Sequence, residues 1–283
     1  MTTMNTPPYD IAWRQEQEAF ARALRTSVLH MVARAHASHV GSCFSCVEIL
    51  AALYGPGGWL RHDPAHPDQA DRDRFILSKG HAAAVLYATL AEVGYFPEAW
   101  LETYCANGAR LGGHCTSHGV PGVELSTGSL GHGLPVGVGL ALGLRNATPS
   151  RVVVLLSDGE LDEGSNWEAA LMAPHQKLNN LAVVVDYNKI QSFGRVSEVI
   201  DLEPLTDKWA AFGWRVLAVD GHDPLALRQA LDEVGQTEAP TAIVAHTVKG
   251  KGVSFMEDEL AWHYKSPSPE QLQTALAEVQ EGP

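Results

Sequence analysis

Residues 151–156 read Arg-Val-Val-Val-Leu-Leu and residues 181–185 read Leu-Ala-Val-Val-Val, and each run breaks at once into polar residues. Ser157-Asp158-Gly159 follows the first run, and Asp186-Tyr187-Asn188 follows the second. A short branched apolar run without alternation is what a strand needs when both of its faces are buried, as in a parallel sheet. Residues 167–177 supply a helix between the two, and residues 214–219 and 241–245 repeat the strand pattern around a helix at 224–234. Strands alternating with helices at this spacing predict an α/β fold: a doubly wound, mostly parallel sheet flanked by helices, with right-handed crossovers. In such sheets ligands gather beyond the carboxyl ends of the strands, where the polar residues here are placed.

The remainder of the chain fits around that sheet. Phe20, Leu24, Val28, Met31 and Val32 recur every three or four residues and predict an amphipathic helix over 11–37. A polar break at Ser38-His39-Val40-Gly41 precedes a second helix over 46–53. Residues 55–73 read as an irregular excursion, 74–77 as a short strand leading into Ser78-Lys79-Gly80-His81, and 82–93 as a helix ended by Gly94. Residues 108–143 are glycine-rich, and the 135–144 portion is expected to be a helix whose glycines permit close packing. Residues 209–212 fall near a helix end. One large domain over 1–267, beginning with a helical extension, and a terminal helix and tail over 268–283 is the simplest partition of the 283 residues.

Charge and cysteine usage exclude some functions. With 20 Lys plus Arg against 33 Asp plus Glu, the net charge of −13 repels a phosphate backbone, and no basic cluster offsets it, so nucleic acid is not an expected partner. No apolar stretch is long enough to span a membrane, and residues 1–10 lack the pattern of a secretory leader. Four cysteines are too few for a disulfide framework; Cys43 and Cys46 read as a buried i,i+3 thiol pair on a helix, and a cytoplasmic location is expected.

Asp158 and Asn188 stand thirty positions apart across one crossover, so both can approach one hard cation. Magnesium takes oxygen ligands in a near-octahedral shell that it usually shares with phosphate oxygens and water. A main-chain carbonyl just past Asn188 could add a third protein oxygen. The competing reading makes Asp158 a helix cap and Asn188 a turn former. Common phosphate motifs do not decide between them: there is no GxxxxGK[ST], and no GxGxxG follows a strand.

A family resemblance carries further. The segment Ser157-Asp158-Gly159-Glu160-Leu161-Asp162-Glu163-Gly164-Ser165-Asn166-Trp167-Glu168-Ala169, followed by Asp186-Tyr187-Asn188-Lys189-Ile190, closely resembles the thiamine-diphosphate signature of transketolases. Further patches occur in that family's order: Ser38-His39-Val40-Gly41, Ser78-Lys79-Gly80-His81, Gly112-Gly113-His114, Ser126-Thr127-Gly128-Ser129-Leu130-Gly131, and His246-Thr247-Val248-Lys249-Gly250-Lys251-Gly252 before Trp262-His263. The resemblance implies a thiamine-diphosphate-binding fold over 1–267. It implies that Asp158, Asn188 and the main-chain oxygen of Ile190 hold Mg2+, with Asn188 and Gly159 beside the diphosphate. Gly128 and Leu130 would line the aminopyrimidine pocket. Glu163 and Glu168 match acidic positions near the dimer interface, although helix N-termini also favour such carboxylates.

The resemblance also singles out four of the 13 histidines. His39 and His263 would flank the substrate carbonyl and the hydroxyl that loses its proton, His114 would contact the terminal hydroxyl of the two-carbon unit, and His81 would lie near the thiazolium. Imidazole suits proton movement near neutral pH. His118, His132 and His246 receive no role. Ser157 and Val40 depart from the glycine and proline usual in the family, which points to a divergent branch.

Full-length transketolases continue into a pyrimidine-binding domain and a C-terminal domain, and no segment here matches either. The implied protein is therefore the diphosphate-binding subunit of a two-component transketolase, active in an α2β2 heterotetramer with a complementary subunit that supplies an activating glutamate. Its substrates would be a ketose, expected to be phosphorylated, and an aldose. A 1-deoxyxylulose-phosphate-synthase-like subunit, a 2-oxo-acid-dehydrogenase-like subunit and a catalytically silent cofactor-binding subunit are the alternatives. Which sugars are used is not legible in the chain.

Overall fold

The computed structural model describes residues 9–282. Most of the stretch 1–10, and the final Pro283 of the tail, lie outside the described residues. Five strands, β1 (Arg74–Leu77), β2 (Val152–Ser157), β3 (Leu181–Tyr187), β4 (Arg215–Asp220) and β5 (Thr241–His246), form one sheet in the order β1-β2-β3-β5-β4. Every neighbouring pair is parallel.

All residues of β2 and β3 are buried, which explains why their sequences do not alternate. Successive side chains instead enter different cores. Val153, Leu155, Val184 and Ile243 point into one shared with α1 (Ile11–Ala35), α3 (Val47–Tyr54), α4 (Ala83–Glu92), α9 (Pro224–Asp232) and α10 (Pro269–Glu281). Val154, Val183, Val185 and Val244 point into another beneath α5 (Gly133–Leu144), α6 (Gly164–His175) and α8 (Leu205–Ala211). Burial of apolar area on both faces is what holds the three layers together.

Several expected boundaries move. The break expected at residues 38–41 runs straight into a short helix, α2 (Val40–Phe44), because His39 takes a left-handed φ of 74° and turns the chain within one residue. Cys43 and Cys46 are both fully buried, yet they straddle the α2–α3 junction instead of sharing one helix. The short helix α7 (Val196–Val199) and a 3-10 stretch at Glu98–Thr103 had no periodic signal to reveal them. Strand β3 runs two residues past the apolar stretch, so Asp186 and Tyr187 belong to it. Helix α10 opens with a Ser268–Gln271 capping box and seats Ala275 and Val279 in the core shared with α1.

The glycine-rich helix α5 is only partly explained by close packing. A side chain at Gly137 would come within 2.5 Å of Val154 on β2, whereas the space over Gly139 and Gly143 is open. Val136 and Leu142 beside them, and Leu171 and Met172 on α6, are exposed. The outer face of this helix pair is therefore apolar and uncovered by the described residues.

Candidate active site

Ser157 of β2 is in register with Asp186 of β3, so Asp158 and Asn188 leave the sheet from one edge. Asp158 accepts hydrogen bonds from Gly159 N at 2.7 Å and Lys189 N at 2.5 Å, drawing the two strand ends together. Lys189 has a left-handed φ of 69°, and the chain turns back so that Ile190 N donates to Asn188 Oδ1 at 3.1 Å. Asp158, Asn188 and Ile190 all line the same cleft.

These three residues offer a carboxylate, a carboxamide oxygen and a main-chain carbonyl, a hard donor set suited to magnesium. Among the described residues no group of three or more His, Cys, Asp or Glu is placed to hold a metal, so a cation here would need this mixed set and outside ligands. Burial, reinforced by Asp186, raises the Asp158 carboxyl to about 6. A carboxylate held so close to neutralisation is one that a divalent cation would relieve, and the residues present fit such an ion.

The facing wall is made of imidazoles. The ring of His39 lies 4.9 Å from that of His263, 5.2 Å from His81 and 5.8 Å from His114, centre to centre. The strained His39 backbone is pinned by a hydrogen bond from its N–H to the His263 carbonyl at 3.0 Å, and its Nδ1 is buried with no partner among the described residues. Burial, with the nearby His114 and the cationic Lys249 and Lys79, lowers His39 to about 4. Burial and Lys249 lower His263 to about 3, and burial with Lys79 carries His81 well below its ordinary value. All three rings are neutral near pH 7, as donors and acceptors of single protons must be before reaction.

Gly128 closes a third side with φ of 152°, and a side chain there would meet the His114 ring at 3.2 Å. Gly159 and Leu130 line the cleft beside it. Thus ten of the twelve sequence-derived site residues share one cleft. Glu163 and Glu168 do not line it; both are exposed on the segment that opens α6. His118 and His132 are exposed, and His246 packs 5.5 Å from the Tyr187 ring outside the cleft lining.

Sequence reasoning missed several contributors. Ser42, Gln191, Ser192 and Lys249 also line the cleft, as does Ser157. Lys249 Nζ donates to the Ile190 carbonyl at 2.8 Å and to His263 Nδ1 at 3.0 Å, which leaves the His263 proton on Nε2. Burial brings this lysine down to about 8. Beneath the cleft Lys79 pairs with Asp186 and donates to the Ser42 carbonyl at 2.9 Å. Both lysines stand within the motifs already quoted, and Ser42 lies one helical turn past His39; those spacings were the available signal. The thiols of Cys43 and Cys46 are pushed by burial up to about 11 and about 12, which makes them inert.

A wholly parallel sheet whose carboxyl edge joins an oxygen donor set to a wall of imidazoles defines a cofactor-binding α/β enzyme domain. The chain belongs to the transketolase family: the family described as transketolase, thiamine diphosphate binding domain, matches residues 16–269. It is 42% identical to an apulose-4-phosphate transketolase subunit of Actinobacillus succinogenes, over 97% of this chain and 99% of that relative. It is 40% identical to a 6-deoxy-6-sulfo-D-fructose transketolase subunit of Clostridium sp., over 92% of this chain and 94% of the relative. Among solved structures, transketolase from Leishmania mexicana superposes with a TM-score of 0.87 at 30% identity, covering 93% of this chain and 41% of its own. Transketolase from Campylobacter jejuni gives 0.87 at 29% identity, covering 96% and 43%. The chain thus spans nearly all of the subunit relatives and about two fifths of the solved transketolases.

Proposed function

We propose that this chain is the cofactor-binding subunit of a two-component transketolase that moves a two-carbon ketol unit from a ketose, in phosphorylated form, to an aldose. One observation carries the reading: the oxygen set of Asp158, Asn188 and Ile190 and the imidazoles of His39, His81, His114 and His263 face one cleft. Asp158, Asn188 Oδ1 and the Ile190 carbonyl would hold Mg2+, which would supply charge neutralisation for the diphosphate, while Gly159 leaves its backbone free to approach that group. Gly128 and Leu130 bound the aminopyrimidine. When bound, thiamine diphosphate supplies the nucleophilic carbon and the electron sink that ketol transfer needs.

The protein's own part is placement and proton handling. His39 and His263, neutral and in edge contact, face the substrate carbonyl and the hydroxyl that loses its proton. Lys249 fixes the tautomer of His263 and so its donor end. His114 binds the terminal hydroxyl, and His81 orders the donor beside the thiazolium.

The complementary subunit carries the pyrimidine-binding and C-terminal domains and the acidic group that activates the aminopyrimidine. The uncovered apolar face of α5 and α6, with exposed Glu163 and Glu168 at its edge, supports an α2β2 assembly. No described helix is long and apolar enough to cross a membrane, and all four cysteines are free thiols, which supports a cytoplasmic location. Co-expression with the complementary subunit, followed by sizing and a ketol-transfer assay, tests the reading. Activity from the pair and none from the purified chain is expected; full activity from the chain alone would refute it.

A further inference from the structure

Glu160 belongs to no motif role discussed so far, yet its carboxylate has no solvent exposure. It sits on the 3-10 turn Gly159–Asp162, two residues beyond Asp158. One oxygen accepts from the Ser78 hydroxyl and from Gly131 N at 2.9 Å; the other accepts from Ser157 N at 3.3 Å. Ser78 Oγ in turn accepts from Gly133 N at 3.1 Å, and a side chain at Gly133 would collide with Ser78. The backbone of Glu160 is also engaged: its N–H donates to Ser157 Oγ at 3.3 Å, and its carbonyl accepts from Asn166 Nδ2 at 2.6 Å.

Each bonded segment ends in a different wall of the cleft. Ser78 leads into His81, Gly131 follows Gly128 and Leu130, and Ser157 precedes Asp158. Among the described residues Glu160 makes no ion pair, so donor groups from these three segments must hold the carboxylate. Only a carboxylate can accept at both ends at once. A glutamine would turn one end into a donor facing another N–H.

We propose that Glu160 is a positioning residue for the diphosphate cofactor, setting the distance between the glycine wall at Gly128–Gly131 and the metal-ligating end at Asp158. The inference rests on the cofactor-binding reading above. Outer partners of this kind typically change ligand affinity about 10- to 100-fold when altered.

The test titrates thiamine diphosphate, at saturating Mg2+, into the full chain assembled with its complementary subunit. Glu160→Gln is expected to raise the dissociation constant and the apparent KM for thiamine diphosphate about 10- to 100-fold, with a much smaller fall in kcat. Ser78→Ala, which removes one arm while leaving a small buried side chain, is expected to shift the same two constants in the same direction. Cofactor affinity within about twofold of wild type in a folded Glu160→Gln protein overturns the inference. Should that variant fail to fold, unaltered affinity in Ser78→Ala overturns it instead. Absence of magnesium-dependent binding by the wild-type assembly overturns the cofactor reading itself, a result distinct from either.

Discussion

Lys79 and Asp186 form an ion pair with no solvent exposure on either side chain. Burial, the largest single influence, would lower Lys79 and raise Asp186, but the partner's charge and the hydrogen bonds around the pair together outweigh it, so both remain ionised. Asp186 also accepts from the hydroxyls of Ser45, at 2.5 Å, and Thr247, and Lys79 donates to the Ser42 carbonyl. The pair therefore ties the ends of β1, β3 and β5 to α2 directly under the cleft. Removing one partner of such a pair leaves an uncompensated charge, whereas removing both is far cheaper. Lys79→Met is expected to cost about 3–5 kcal/mol of unfolding free energy, and adding Asp186→Leu should restore part of it. Denaturant unfolding of Lys79→Met, Asp186→Leu and the double variant checks this; a double-variant loss equal to the sum of the two single losses would show that the pair is not coupled.

The histidine wall gives the cofactor-free protein an acid-side weakness. His39 and His263 are lowered to about 4 and about 3, so the unfolded chain takes up protons near pH 6.5 that the folded chain refuses. Their contribution is intact above pH 6.5 and is lost as the pH falls toward 4. Melting temperatures between pH 7 and pH 4.5 should fall less steeply in His39→Asn than in wild type. Asparagine is the replacement of choice because it tolerates the left-handed backbone at this position. An identical slope in the variant would mean that His39 is not one of the groups responsible.

Asp158 titrates with the opposite sign for folding. Its folded value of about 6 lies above its ordinary one, so its ionisation opposes folding as the pH rises through 6, and protonation relieves that cost at lower pH. Cation binding, in contrast, requires the ionised form. Magnesium-dependent binding of thiamine diphosphate should therefore weaken below pH 6, by roughly tenfold at pH 5 relative to pH 7. Asp158→Ala should abolish the magnesium dependence. Calorimetric titration at the two pH values measures both effects, and magnesium-dependent binding by Asp158→Ala would remove this residue from the metal site.

The apolar face of α5 and α6 offers a test of assembly that leaves the cleft alone. Leu171 is 62% exposed and Met172 43% exposed. A charge at such a position costs the isolated fold little, within about 0.5 kcal/mol, but would be buried unpaired in an interface. Leu171→Glu should keep the wild-type melting temperature of the isolated chain and shift the co-expressed complex to smaller species on sizing. An unchanged elution profile would place the interface elsewhere.

The sheet was legible because β2 and β3 are buried on both faces, which leaves only branched apolar residues possible between their polar ends. The order in which β5 enters between β3 and β4 was not, since neighbouring strands of a parallel sheet carry no mark of one another's identity. Most site residues could be placed because they stand in compact motifs. Glu160 escaped because the partners that give it meaning, Ser78 and Gly131, lie in other motifs. Asp186 escaped for a similar reason: its counter-ion, Lys79, is 107 positions away.

That strand order has a temporal side. Lys249 reaches the Ile190 carbonyl because β5, the last strand in sequence among the described residues, lies beside β3. A growing chain emerging from the ribosome contains Asp158, Asn188 and the glycine wall at Gly128–Gly131 before it has β5 and the segment carrying His263, which complete the cleft lining. The cleft lining that Lys249 and His263 supply is therefore in place only after β5 and the segment following it have been synthesised.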